Sequence, residues 1–185
     1  MMKSVLIAIR PQWVEKIARG EKTIEVRKTA PQEVPFKCYI YETQGRTETP
    51  WIDEDGHFIY KGRGQVIGEF ICDKVYSIKN RGSSFSVADE EQSVTNEIAR
   101  QSCLYYDDMV SYFGNKDGFG WHISDLKIYD KPRELSEFSR PCSYSGLCFS
   151  CKRTSFKKDG NLLCNTKITR PPQSWMHVED LGEEE

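Results

Sequence analysis

Four residues whose chemistry could serve a ligand, Lys22, Glu25, Arg27 and Lys28, fall within one seven-residue stretch just after a predicted helix. From Thr23 to Lys28 apolar and polar residues alternate, so Ile24 and Val26 share one side of a strand and Thr23, Glu25 and Arg27 the other. Glu25 and Arg27 are then ~7 Å apart on one face. They can pair with each other or jointly meet a polar ligand. Arginine offers a rigid fork for phosphate or a base edge, and lysine a point charge whose pKa shifts when water is removed. The plainer alternative is a solvated face carrying a Glu–Arg surface pair, an arrangement that stabilises little.

A second constellation is the cysteine segment. Cys142, Cys148, Cys151 and Cys164 have the pattern C-x5-C-x2-C-x12-C, in which the Cys148–Cys151 pair has the spacing of a zinc knuckle. The surrounding stretch, Arg140 to Pro172, contains few large apolar groups, so a structural zinc on these four thiols would supply order that packing cannot. His177 is the first substitute if only three converge. The competing reading is four unpaired thiols in a loop. The segment is also basic, with Lys152, Arg153, Lys157, Lys158, Lys167 and Arg170, and Phe149, Phe156 and Trp175 lie in or near it. Cations beside aromatics suit a surface that tracks a nucleic-acid backbone and stacks bases, with Lys157 and Lys158 as phosphate contacts; a solvated loop is the alternative. Cys38, Cys72 and Cys103 read as packing residues. The glycines of Lys61–Gly64 match no nucleotide fingerprint, and His57, His122 and His177 form no triad pattern.

The elements that must position these groups are legible around them. Val5 to Ile9 is a short buried strand. A helix follows, with Pro11 at its first position, Trp13, Val14, Ile17 and Ala18 on one face and Gly20 as its left-handed stop. Further strands are predicted at 37–42, at 65–78 with a bend near Asp73, and at 121–129, where the apolar parity shift indicates a bulge near Ser124 and Asp125. A helical stretch covers 89–113, breaks around 103–106 and stops at Gly114. Residues 43–64 form a loop or small hairpin turning at Asp55–Gly56. Strands outnumber helices without alternating regularly, which argues against a doubly wound sheet and for an α+β fold: a small barrel or strongly bent mixed sheet with flanking helices.

Composition bounds the function. A chain of 185 residues, 38% hydrophobic and 12% aromatic, is one globular domain with a modest appendage. No apolar run approaches the ~18 residues of a membrane span, so a cytoplasmic protein without a membrane partner is expected. Seven cysteines are an odd number for a disulfide framework. The net charge of −2 includes Glu179, Asp180, Glu183, Glu184 and Glu185 in an acidic end expected to fray; the remainder is slightly basic, which permits a nucleic-acid partner.

Four separated blocks carry a family resemblance: Ile7 to Lys28 (IAIRPQWVEKIARGEKTIEVRK), Gly64 to Phe70 (GQVIGEF), Gly118 to Pro132 (GFGWHISDLKIYDKP) and Arg170 to Trp175 (RPPQSW). Together they resemble ASCH-domain proteins of the phage and bacterial type, in the PUA-like superfamily. The resemblance implies a PUA-like small β-barrel formed by residues 1–139 and 170–178, interrupted by a cysteine-rich basic insertion at 140–169 and followed by the acidic tail 179–185. It implies binding of RNA, a nucleoside or a nucleotide, with a modified base within reach, in the cleft between the first helix and the barrel, where Arg10, Lys22, Glu25 and Arg27 would be ligand contacts. Some relatives hydrolyse N4-acylated cytidine with a lysine at the position of Lys22 and a threonine at that of Glu25. This chain keeps the lysine and lacks the hydroxyl, so a hydrolase acting on a modified nucleoside or RNA, with Lys22 and Glu25 catalytic and Glu90, Glu91 or Glu97 as helper carboxylate, is an alternative. A zinc-stabilised protein-interaction module is a third.

Overall fold

A computed structural model describes residues 2–45, 62–82, 84–142 and 166–182 in full, and residues 51–52, 58–59, 154–156 and 162–164 by their backbone. The chain opens with β1 (Lys3–Ile9) and α1 (Pro11–Ala18), followed by β2 (Ile24–Arg27) and β3 (Phe36–Glu42). After the short strands β4 (Trp51–Ile52) and β5 (Phe58–Ile59) come β6 (Val66–Cys72), β7 (Val75–Asn80) and β8 (Phe85–Val87). Two helices, α2 (Gln92–Ser102) and α3 (Tyr106–Phe113), precede β9 (Gly118–His122) and β10 (Ser124–Arg133). A 3₁₀ turn at Leu135–Glu137, β11 (Thr154–Phe156), β12 (Leu162–Cys164) and β13 (Trp175–Val178) complete the order.

Two sheets dominate. The first has the order β10-β6-β3-β1-β13, with β1 and β3 parallel and the other neighbours antiparallel. The second, β2-β9-β7-β8, is antiparallel throughout. The α+β class is as expected, but the expected barrel is corrected: among the described residues the two sheets do not close into one hydrogen-bonded ring. The reason lies in the corners. β6 leaves the first sheet at Cys72 and continues as β7 in the second, and β9 returns through Ile123 into β10. The parity shift near Ser124 and Asp125 therefore marks a change of sheet as well as a bulge; Asp125 adopts φ 47° and the β10–β6 register slips beyond Ser124.

Alternation along the strands sorts the core. Val5, Ile7 and Ile9 of β1 pack with Val14 and Ile17 of α1, with Phe36, Cys38 and Ile40 of β3, and with Trp121 of β9. The opposite face of the first sheet holds Leu6, Tyr39, Tyr41 and Val66 against Phe138, Ile168 and Val178. On the second sheet Ile24 and Val26 pack under α2 and α3 with Ile98, Met109 and Phe113. Gly118 is where α3 approaches most closely, since a Cβ there would lie 1.9 Å from the Phe113 ring. Helix α1 starts with Pro11 and stops before Gly20 at φ 74°, and the predicted helix break falls at Cys103, which takes φ 53°.

The acidic end is docked as far as Gly182 rather than frayed. Glu179 N donates to Ser139 O, Leu181 N donates to the Tyr39 hydroxyl, and that hydroxyl donates to Asp180. Cys38 and Cys72 are packing residues as read, whereas Cys103 is half-buried at the α2 terminus, its thiol 3.5 Å from Glu21 O.

Candidate functional site

Helix α1 and its Gly20 turn bring the chain back so that Lys22 N donates to Lys16 O and Thr23 N to Gln101 O. These two bonds set the register in which β2 enters beside β9. With Ile24 and Val26 committed to the core under α2 and α3, Glu25 and Arg27 must face the other way. That other side is not solvent. Lys22, Glu25 and Arg27 are 2%, 3% and 8% exposed, so the surface-pair reading is wrong.

The three form a chain of charges. Lys22 Nζ lies 3.4 Å from Glu25 Oε2 and donates to Ser102 O at 2.5 Å, at the C-terminal end of α2. Arg27 Nη1 lies 3.1 Å from Glu25 Oε1, and its Nη2 donates to Ala8 O at 2.7 Å. Burial lowers the pKa of Lys22 from its ordinary value, opposed by the Glu25 carboxylate. Desolvated charges persist only when paired, and here one carboxylate serves two cations.

Above this floor opens a cavity of about 570 Å³, within the ~300–1,000 Å³ typical of small-molecule sites. Arg10, Gln12 and Trp13 from the start of α1, Lys28 after β2, Asp108, Ser111 and Tyr112 from α3, and Pro172 and Gln173 line it. Four cations, Arg10, Lys22, Arg27 and Lys28, face two carboxylates, Glu25 and Asp108, so the interior favours an anionic ligand. Lys22 Nζ sits 5.2 Å from the Trp13 ring and Lys28 Nζ 5.1 Å from that of Tyr112.

The structure thus brings together Arg10, Lys22, Glu25 and Arg27 of the predicted site. Lys157, Lys158, Cys148 and Cys151 lie outside the described residues. Cys142 is exposed, and Cys164 ends β12, of which only the backbone is described. Among the described residues no group of histidine, cysteine and carboxylate side chains is disposed to hold a metal. The expected helper carboxylates do not line the cavity: Glu97 is bound to Arg100 and Glu90 to Lys74 on the surface, while Glu91 is exposed at the N-cap position of α2 and makes no side-chain cap bond. Besides Glu25, the acid that lines the cavity is Asp108. No motif in the sequence marks Gln12, Trp13, Asp108 or Tyr112 as site residues, although Asp108 and Tyr112 stand four apart and so share one helix face.

No protein-family model and no curated protein matches the sequence. Its architecture does find counterparts. The crystal structure of ASCH from Zymomonas mobilis matches with a TM-score of 0.55 at 16% identity, covering 96% of this chain and 88% of that one. The chain has the ASCH-domain fold. A serine-to-alanine mutant of the Zymomonas mobilis protein matches at a TM-score of 0.54 and 16% identity, over 96% of this chain and 89% of that one. In this ASCH fold the first helix, the signature strand β2 and α3 enclose the cavity. No helix among the described residues is long and apolar enough to cross a membrane.

Proposed function

We propose that this ASCH-type domain binds RNA or a nucleotide in the cavity between α1, β2 and α3. The observation that carries the reading is the buried Lys22–Glu25–Arg27 floor beneath a net-cationic cavity with two aromatic side chains on its walls. Cations attract phosphate, aromatic rings stack bases, and a buried ionic floor presents fixed donors and acceptors to a base edge. Arg10 and Lys28, both exposed, stand at the rim where a phosphate would arrive. The basic segment containing Lys157 and Lys158 precedes the wall residues Pro172 and Gln173 in the chain and extends the same charge pattern. Titrating single-stranded RNA into the protein while following tryptophan fluorescence tests this. Affinity should fall steeply with salt, and Lys157→Ala with Lys158→Ala should weaken all sequences about equally. No binding at low salt would refute it and leave a protein-interaction module ahead.

Hydrolysis of a modified nucleoside or RNA is a second reading, favoured by Glu25 Oε2 standing 3.4 Å from a lysine of lowered pKa. In it Glu25 activates water and Lys22 holds the substrate oxygen, so Glu25→Gln should reduce turnover by ~10² to 10⁴. For the cysteine segment we keep one structural zinc on Cys142, Cys148, Cys151 and Cys164 as a proposal; elemental analysis of chelator-free protein showing no zinc would refute it.

A further inference from the structure

Helix α3 forms one wall of the cavity through Asp108, Ser111 and Tyr112, and its two ends are held very differently. At the C-terminal end Phe113 is buried against Gly118, and Asn80 Nδ2 donates to Gly114 O at 2.9 Å. The N-terminal end has no such seat. Tyr105 and Tyr106 are 72% and 44% exposed. Among the described residues this end is tied to the β7–β8 hairpin by the Tyr106 hydroxyl, which donates to Gly82 O at 3.2 Å, and by the Phe85 ring, 5.6 Å from that of Tyr106. Beside it lies a second cavity of about 220 Å³, walled by Phe85, Ile98, Ala99, Leu104, Tyr106 and Met109. Protein interiors are close-packed, so a helix end that borders an unfilled apolar cavity lacks the contacts that would fix its position. Few buried apolar contacts mark an element that opens before the rest of its domain.

Resting on the nucleotide-binding reading above, we infer that α3 is a hinged wall: it swings toward the apolar cavity to admit a nucleotide and returns to close on it. The hinges lie in the backbone. Cys103 before the helix and Gly114 after it both take left-handed φ, 53° and 61°, so the chain changes direction at each end of α3. Leu104 N donates back to Ser102 Oγ of α2, whereas Tyr105 N donates forward to Asp108 Oδ2, which makes residues 105–113 one rigid piece. Along that piece Asp108, Ser111 and Tyr112 face the nucleotide cavity, and Tyr106 and Met109 the apolar one. A pivot about the Phe113 seat that fills the apolar cavity therefore draws the wall back and widens the other cavity. The ligand supplies the return. A nucleotide that meets Arg10 and Lys28 on the body and Ser111 and Tyr112 on the helix makes both sets of contacts only with α3 in the position seen here. A ligand shifts such an equilibrium by the contacts that it makes in one state alone.

The test is amide hydrogen exchange of the full chain, free and with a saturating mixture of single-stranded RNA pentamers of all sequences. In the free protein the Met109 and Val110 amides should exchange on the order of a hundredfold faster than those of Ile98 and Ala99 in α2, and the pentamers should slow them about tenfold while leaving α2 unchanged. Ala99→Leu, which puts an isopropyl group into the apolar cavity, should slow Met109 and Val110 in the free protein and reduce the association rate of the pentamers about tenfold. Should that variant fail to fold, Tyr106→Phe removes the bond to Gly82 and should quicken the same two amides several-fold; an unchanged rate there overturns the hinge. Equal exchange in α2 and α3 of the free protein, or no slowing by bound pentamers, overturns the hinge and leaves nucleotide binding standing. An Ala99→Leu protein that folds and binds at the wild-type rate does the same. Failure of every pentamer to bind overturns both.

Discussion

Two charge networks lie on different parts of the molecule, one buried and one partly exposed. On the outer face of the first sheet, Lys37 Nζ stands 3.2 Å from Asp180 and 3.9 Å from Glu69; the Tyr39 hydroxyl donates to Asp180, and the Tyr129 hydroxyl donates to Glu69 at 2.5 Å. Each carboxylate there has a lysine and a phenol as partners. In the cavity floor one carboxylate serves Lys22 and Arg27, and Glu25 Oε2, Arg27 Nε and the neighbouring Gln12 Oε1 lack hydrogen bonds. The first network keeps contact with water through Glu69 and Asp180, whereas the side chains of Lys22, Glu25 and Arg27 have almost none. The floor thus combines deeper burial with less complete hydrogen bonding than the outer network.

The largest effect expected from breaking this contrast comes from Glu25→Ala. It leaves two buried cations without their carboxylate and should lower stability by about 3–5 kcal/mol in urea unfolding, with RNA binding lost. A change below ~1 kcal/mol would show that the floor is not an interior ion pair. Next, Tyr129→Phe removes one partner of Glu69. Because both groups are partly solvated, about 1 kcal/mol should be lost, with RNA affinity unchanged. Weakened binding in this variant would mean that the two networks are coupled.

Gln12→Leu sharpens the comparison from the other side. It deletes a buried acceptor that has no donor, so the protein should be unchanged or up to ~1 kcal/mol more stable in urea unfolding. A clear destabilisation would show that Gln12 is partnered after all.

The smallest effects lie in alkaline pH, where the regions should respond with opposite sign. Burial holds the Lys22 pKa below the ordinary 10.5, against the pull of Glu25 and Cys103. Below 10.5 the unfolded chain thus keeps a proton that the folded chain releases earlier, and this contribution to stability rises with pH across that range. Burial first, and then donation to Asp180 and Glu69, push Tyr39 and Tyr129 above their ordinary 10.0. Their contribution is whole below pH 10 and falls above it, as unfolded tyrosines ionise and folded ones do not. Urea midpoints measured upward from about pH 8 should show a shallower rise in Lys22→Met and a shallower alkaline fall in the Tyr39→Phe, Tyr129→Phe double variant. Identical curves for all three proteins would remove both assignments.

What the sequence discloses follows the range of the interactions involved. The Val5–Ile9 strand, the Pro11 start, the Gly20 stop and the alternation of Ile24 and Val26 with Glu25 and Arg27 are local signals, and each appears in the structure where it is read. The break at Cys103 and the bend at Asp73 are local too. The burial of Lys22 is not, because it depends on Ser102, 80 residues away. Sheet closure is another long-range property: the strand count suggests a barrel, while the pairing among the described residues leaves the two main sheets open. Asp108 and Tyr112 join the site only because α3 packs on Gly118 of β9.

The contact between Lys22 and the Ser102 carbonyl also bears on the order in which the molecule is assembled. Loops of that length close slowly relative to helices and hairpins, so the floor cannot be set while α1 and β2 are the only parts made. Before α2 is in place, Lys22 has no carbonyl to meet and no reason to leave water. The α3 wall comes later still in the chain, and Pro172 and Gln173 last among the lining residues. During synthesis the charges of β2 therefore stay hydrated, and they become the buried floor of the cavity only once the body of the domain has folded around them.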